Sequence, residues 1–314
     1  LALRSAIARH VGASRGVRAE ADDVIVTAGA QQAFDLIARV LIEPGAKVAV
    51  EEPGYPPARH AFAAHGAHIV PVAVDGEGLV VDALPDDARV VYVTPSHQFP
   101  LGMPMSLTRR LALCAWAQRR NAAIVEDDYD SELRYEGRPL EPLHALDRSG
   151  RVIYVGTFSK ILAPSLRQGF AIAPPSLVPA LAAARSLADS YGPFETERAL
   201  ATLIDDGTLA RHTRRALRVY RARRARLSDA LASIDALDVV PSGAGLHVTA
   251  MFRDVRRNAD AVVARAREHG VAVSSLGGYC AARPRAGLAL GFGLIAENQI
   301  DEGVARLANA LSPP

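Results

Sequence analysis

A lysine placed just after a buried strand is the first residue to weigh for chemistry. The chain carries 36 Lys and Arg side chains, and only Lys47 and Lys160 among them are lysines. A lysine can lose its proton and attack a carbonyl to form a Schiff base, which the pKa of arginine forbids. Lys160 closes Gly156-Thr-Phe-Ser-Lys160, directly after the apolar run Val152-Ile-Tyr-Val155. Thr157, Ser159 and, seven residues on, Arg167 supply hydroxyl and guanidinium donors suited to a phosphate. Lys47 follows the Pro44-Gly45 turn and reads as ordinary surface charge.

Three more segments join Lys160. Ile124-Val-Glu-Asp-Asp-Tyr-Asp-Ser-Glu132 puts four carboxylates within residues 126–130 at the end of an apolar run. Such a cluster is costly unless used or solvated. It fits a Mg or Ca site, a solvated acidic loop, or an aspartate that pairs with a protonated pyridine nitrogen; the glycine-punctuated spacing of a calcium loop is absent. Thr27-Ala-Gly-Ala-Gln-Gln32 reads as strand, glycine and helix start, a turn that offers free backbone N–H groups to an anion. Glu52-Pro-Gly-Tyr-Pro56 is a tight turn presenting Tyr55, whose ring suits the face of a flat cofactor.

The elements that must position these residues alternate between short apolar runs and helical patterns. Strands are expected at 23–27, 47–50, 68–72, 90–94, 122–126 and 152–155, with helices at 3–11, 31–41, 58–65 and 107–121. This βαβα rhythm with near-continuous apolar strands predicts a largely parallel sheet covered on both faces. Ligands of such sheets lie beyond the carboxyl ends of the strands, so Thr27, Thr94, Asp127 and Gly156 point at one crevice. After about residue 175 the pattern turns helical to about Leu231, broken near 191–193 and 206–207. Strands at 237–240, 246–252, 271–274 and 288–292 and helices at 259–269 and 297–311 then predict a compact α+β unit.

Composition narrows the class. At 49% hydrophobic and 22% charged, the chain is ordinary globular protein. A net charge of +2 advertises neither nucleic acid nor membrane. Cys114 and Cys280 are too few for a disulfide framework, which points to a reducing compartment. The best membrane candidate, 170–184, is cut by Pro174, Pro175 and Pro179, so no transmembrane helix is expected. The chain starts at Leu1 within a helical pattern and reads as a fragment of a longer protein. Eight arginines between Arg211 and Arg226 form either a basic stripe or a solvated helix face with Leu217, Tyr220 and Leu227 turned inward; the second reading is preferred.

Together these segments resemble the fold type I, aspartate-aminotransferase-like pyridoxal phosphate (PLP) proteins. More narrowly, the chain is similar to the aminotransferase-like domain of the MocR subgroup of GntR-type transcription regulators. The residues carrying that likeness are Arg15-Gly-Val17, Val26-Thr-Ala-Gly-Ala-Gln-Gln-Ala33, Glu52-Pro-Gly-Tyr55, Tyr92-Val-Thr-Pro-Ser-His-Gln-Phe-Pro100, Glu126-Asp-Asp-Tyr-Asp-Ser-Glu132 and Tyr154-Val-Gly-Thr-Phe-Ser-Lys160. The resemblance implies an α/β fold: a large PLP-binding domain with a mostly parallel mixed sheet over 1–205, residues 1–15 packing with a small α+β domain over 206–314. It implies that Lys160 is the catalytic residue and holds pyridoxal 5'-phosphate as the internal aldimine. Asp127 would bond the pyridine nitrogen, Tyr129 the phenolic oxygen, and Tyr55 would stack on the ring. Gly29, Ala30, Gln31, Thr157 and Arg167 would hold the phosphate. No metal is implied.

The same resemblance implies a cytoplasmic homodimer with sites near its interface. An amino acid or related amine would be effector or substrate. DNA would be met only through an N-terminal winged-helix part absent from this chain. Two departures from ordinary aminotransferases stand out. Phe99-Pro-Leu-Gly102 replaces Asn-Pro-x-Gly, leaving Tyr129, with His97 or Gln98 as helpers, on the phenolic oxygen. Gly277-Gly-Tyr279 lacks the arginine some relatives carry before the tyrosine, with Arg283 and Arg285 as nearby substitutes. The expected function is a PLP-binding, amine-sensing effector domain; the alternatives are a working class I/II aminotransferase and a PLP-free scaffold.

Overall fold

A computed structural model describes residues 1–137 and 140–312. Arg138 and Pro139 lie outside the described residues, as do Pro313 and Pro314 at the end of the C-terminal unit expected over 206–314. The large sheet is built from β1 (Val24–Thr27), β2 (Lys47–Glu52), β3 (His68–Asp75), β4 (Gly78–Leu79), β5 (Ala88–Val93), β6 (Ala123–Asp128), β7 (Val152–Thr157) and β8 (Gly169–Ile172). Their order is β1-β8-β7-β6-β5-β2-β3-β4. Strands β3, β2, β5, β6 and β7 are mutually parallel. β8 is antiparallel to both β7 and β1, so β1 runs the same way as β7. A second, antiparallel sheet holds β9 (Leu237–Val239), β10 (His247–Phe252), β11 (Ser274–Ser275) and β12 (Gly287–Gly291) in the order β11-β12-β10-β9. The fold is therefore α/β, a large mostly parallel mixed sheet with a second small sheet.

Both faces of the large sheet are covered, and strand alternation decides which side chain meets which face. Phe34, Ile37 and Leu41 of the helix Ala30–Leu41 share one core with Val90, Tyr92, Val125, Ile153 and Val155. Leu113, Trp116 and Ala117 of the helix Leu107–Arg120 share another with Val91, Val93, Ile124 and Val152. That helix starts where the Ser106 side chain accepts from the Arg109 N–H, and it stops at Asn121 in the left-handed conformation. A third core joins the N-terminal helix Ala2–Arg15, through Leu3, Ile7 and Val11, to Leu209 and Leu231 and to the small sheet at Val248 and Leu290.

The expected strands and helices are present with shifted ends, and two strands were not anticipated. β8 lies where only an apolar stretch interrupted by prolines was read. It is four residues long and buried throughout, so it shows no alternation to separate it from a helix. β4 is a two-residue edge pairing with β3. β6 also runs on to Asp128, so the carboxylates 126–128 sit inside the strand rather than in a loop after it. β11 is confined to Ser274–Ser275 instead of reaching back to Val271.

On the Arg-rich helix Thr208–Ala232, Leu227 is buried and Leu217 and Tyr220 are half-buried. Arg221 and Arg223 donate to the carbonyls of Tyr135 and Gly293, and Arg224 pairs with Glu136, while Arg214, Arg215 and Arg218 are exposed.

The N-terminal helix is tied to β6 by a buried ion pair. Arg15 Nε donates to Asp128 Oδ2 at 2.7 Å, and its Nη2 donates to Ser96 Oγ at 2.8 Å. Burial alone would raise Asp128; Arg15 and the Tyr154 hydroxyl at 2.6 Å override it and hold the carboxyl below its ordinary range. Removing one partner of such a pair leaves an uncompensated charge. Arg15→Met is therefore expected to lower stability by about 3–5 kcal/mol, read as an earlier urea midpoint at unchanged slope. A loss below about 1 kcal/mol would mean that the pair behaves like an exposed one.

Candidate functional site

The carboxyl ends of β1, β2, β5, β6 and β7 open on one edge of the large sheet. There a cavity is lined by Ala30, Gln31, Tyr55, Thr94, Phe99, Asp127, Tyr129, Thr157, Ser159, Lys160, Pro164 and Arg167. Eight of the nine residues singled out in the sequence are among these. The ninth, Gly29, sits behind the Arg167 guanidinium: its φ is +80°, and a Cβ there would lie 2.8 Å from Arg167 Nη2. Arg167 Nη2 also donates to the Ala28 carbonyl at 3.0 Å. The glycine is thus the seat on which the arginine rests.

One end of the cavity is built for an anion. The helix Ala30–Leu41 begins at its rim, and the first N–H groups of a helix have no intrahelical partner. Arg167 stands beside them. Ser159 Oγ is buried in the same wall without a hydrogen-bond partner among the described residues.

The other end is acidic. Asp127 Oδ2 accepts from the Tyr92 hydroxyl at 2.6 Å, while Asp127 Oδ1 is buried with no partner among the described residues. Burial, against the pull of Tyr92 and with the push of Asp128 and Asp130, raises this carboxyl to about 7. Glu51, at the end of β2, is also buried and raised to about 7, by desolvation. It accepts from the Thr94 hydroxyl at 2.6 Å and from Gln98 Nε2 at 3.3 Å.

The carboxylates around Asp127 go separate ways. Glu126 and Asp128 point to the opposite face of β6. Glu126 accepts the N–H groups of Leu143 and His144 at 2.8 and 2.9 Å, capping a short helix; Asp128 holds Arg15. Asp130 Oδ2 lies 2.9 Å from His97 Nδ1. The acidic run is neither a solvated loop nor a shared cation cage: each group has its own partner, and Asp127 faces the cavity.

Tyr129 also lines the cavity. Its hydroxyl donates to the His97 carbonyl at 3.0 Å and lies 2.9 Å from His97 Nδ1. Burial and Asp130 raise it well above the ordinary tyrosine range, so it stays a donor. The helper role expected of His97 or Gln98 is corrected by geometry: neither lines the cavity. His97 is buried between Asp130 and Ser242, with Nε2 2.9 Å from Ser242 Oγ, and Gln98 donates to the Pro53 carbonyl. Phe99 takes the wall instead, edge-on to Tyr55 at 5.4 Å and to Tyr279 at 5.1 Å. Arg283 and Arg285 do not line it either.

Sequence reasoning missed Tyr92 and Glu51; Thr94, expected to point at the crevice, lines the cavity and holds Glu51. Tyr92 shares a sheet face with Asp127 on the neighbouring strand, and two-residue alternation on β5 would have placed its hydroxyl there.

The Aminotransferase class I and II family model matches residues 1–288. The chain is 37% identical, over 99% of its length, to the pyridoxine biosynthesis transcriptional regulator PdxR of Corynebacterium glutamicum. It is 40% identical, over 98% of its length, to the probable rhizopine catabolism regulatory protein MocR of Rhizobium meliloti. It spans 68% and 63% of those two regulators. Among solved structures, a kynurenine aminotransferase of Pyrococcus horikoshii in complex with PMP superimposes with a TM-score of 0.92. That match has 31% identity and covers 98% of this chain and 79% of the enzyme.

The raised Asp127 sets a pH dependence for the protein without ligand. Its folded-state pKa exceeds the unfolded one, so the folded chain keeps a proton that the unfolded chain releases. Stability is therefore lost as pH rises from about 4 toward about 7. Asp127→Asn is expected to be more stable than the parent at pH 8, by roughly 1–2 kcal/mol, and close to it at pH 5. Urea denaturation at the two pH values measures this. Equal gains at both would assign the effect to packing.

Proposed function

The chain belongs to the class I and II aminotransferase family, and from that premise we propose that it is the PLP-holding, amine-sensing part of a transcription regulator. The observation that carries this reading is its 37–40% identity, along nearly its whole length, to regulators rather than to a local motif. Recognition of DNA is assigned here to the third of those regulators that this chain does not match. We also assign a homodimeric state.

The donor set fits pyridoxal 5'-phosphate on three counts. Asp127 Oδ1 is a buried acceptor awaiting a donor, as the ring N–H would be. Ser159 Oγ is a buried hydroxyl awaiting an acceptor, as a phosphate oxygen would be. Lys160 is one of two amines on lysines in the whole chain, and it opens onto the same cavity. When bound, the cofactor joins an amine through its aldehyde and draws electrons from it into a protonated ring.

This chain's residues would do the rest. Lys160 would hold the aldehyde and move protons at its Nζ. Asp127 would keep a proton on the ring nitrogen; the positive ring would in turn hold Asp127 ionised against its burial. Tyr129 would turn its one hydroxyl proton from the His97 carbonyl toward the phenolic oxygen. Tyr55 would cover the ring. Gly29, Ala30, Gln31, Thr157 and Arg167 would neutralise the phosphate through backbone N–H groups, a hydroxyl and a guanidinium.

Sensing, rather than turnover, is favoured by the polar cage around Tyr129. Its hydroxyl is already engaged by His97, and Phe99 contributes no donor. An effector would act by binding the two conformations of the longer protein with different affinity.

Absorbance of the loaded protein tests this. Lys160→Arg is expected to lose the near-visible band completely, and Asp127→Asn to weaken cofactor binding about 10- to 100-fold, the worth of one charged hydrogen bond. Amines should perturb the band of the parent without release of a carbonyl product. Repeated turnover with several amines would make the chain a working aminotransferase.

A further inference from the structure

Beyond Lys160 lies a second compartment, between the large sheet and the small one. Lys160, Phe99 and Tyr129 line both it and the cavity already described. The amine that meets Lys160 must extend into this space. Its polar lining is Tyr129, Asp130, His247, Ser274 and Tyr279, with apolar side chains or glycine for the remainder. Among the described residues no arginine lines it.

The charge inventory is lopsided. Lys160 would be bonded to the cofactor before an amine arrives and would handle protons once displaced, in the proposed function on which this inference rests. Among the described residues Asp130 is the one carboxyl in the wall. His247 is buried, and desolvation together with His97 pushes it down to about 4, so it is neutral at physiological pH. Its Nε2–H donates to the Pro100 carbonyl at 2.8 Å, which leaves Nδ1 as an acceptor.

The loop that follows Tyr279 is pinned so that its arginines stay out. Glu52 accepts from the N–H groups of Ala281 and Ala282 at 2.7 and 3.1 Å, and the Gly54 N–H donates to the Tyr279 carbonyl at 3.0 Å. This turns Tyr279 inward, edge-on to Phe99, while Arg283 and Arg285 line neither compartment.

A carboxylate entering this space would face Asp130 and find no cation besides the Lys160 amine that its own amino group displaces, so its desolvation would go largely uncompensated. An ammonium or a hydroxyl finds partners: the Asp130 carboxylate, the hydroxyls of Ser274 and Tyr279, and the free nitrogen of His247. We propose that the compartment selects primary amines that carry hydroxyl groups and no carboxylate.

Matched pairs test it on the cofactor-loaded protein, with Lys160→Ala as reference. Tyramine is compared with tyrosine, and ethanolamine with serine, each titrated by the shift of the near-visible band and by the rise in melting temperature. The expected result is that each amine binds at least about tenfold more tightly than its amino acid, the penalty of an unmatched charge. Ser274→Arg, at the exposed mouth, should narrow or reverse that gap. Amino acids that bind as well as their amines would overturn the proposal, including the case in which a second copy of the chain delivers the missing cation. A wild-type band no different from that of Lys160→Ala would instead remove the cofactor reading, and the proposal with it.

Discussion

Burial of carboxylates at the end of one strand is the constraint that organises this molecule. Three consecutive acidic side chains, Glu126, Asp127 and Asp128, occupy the last positions of β6, all buried. Strand geometry sends the first and third to one face and the second to the other. On the first face ionic and backbone partners are at hand: Leu143 and His144 N–H groups cap Glu126, which burial and Asp128 still raise to about 7, and Arg15 with Tyr154 holds one oxygen of Asp128. On the second face Asp127 has one neutral donor, Tyr92, and an oxygen left over. A buried group in that condition is expensive unless a cation arrives. Of these under-satisfied carboxyls Asp127 is the one that lines the cavity, whose other end is an anion seat, and a ligand with a positive ring and a negative tail would relieve both.

Much of this was legible from residue types. Apolar runs marked the parallel strands, and the small or polar residues after them marked the edge where a ligand lies. Lys160 could be chosen over Lys47 because of its neighbours, and Lys47 indeed pairs with Asp87 on the surface at 2.8 Å. What escaped was what depends on pairing across the sheet. β8 is short and buried on both sides, so no periodicity announced it. Tyr92 reads as one more apolar strand residue until β5 is set beside β6. His97 looked like a cofactor contact because it lies near Phe99 in sequence, but the loop turns it back toward Asp130 and Ser242. The arginines after Tyr279 could be judged only once Glu52 was seen to hold their loop.

The His97 cluster also ties the two sheets together. Gly245, beside β10, has a φ of +83°, and a Cβ there would lie 2.1 Å from the His97 ring. Tyr135 donates to the Gly245 carbonyl at 2.6 Å. The segment leading into the small sheet is therefore fitted against the residue that anchors Tyr129. In the sensing account, whatever moves the Tyr129 hydroxyl acts on a group already bonded, through His97, to the other sheet.

One particular amine, that of Lys160, would carry the cofactor, and the chain offers only two lysines to choose between. Incubation with pyridoxal 5'-phosphate, reduction with borohydride to fix any lysine–aldehyde condensation, and peptide mass spectrometry decide it directly. A single pyridoxyl adduct on Lys160 is the expected result. An adduct on Lys47 alone, or on neither lysine, would contradict the account.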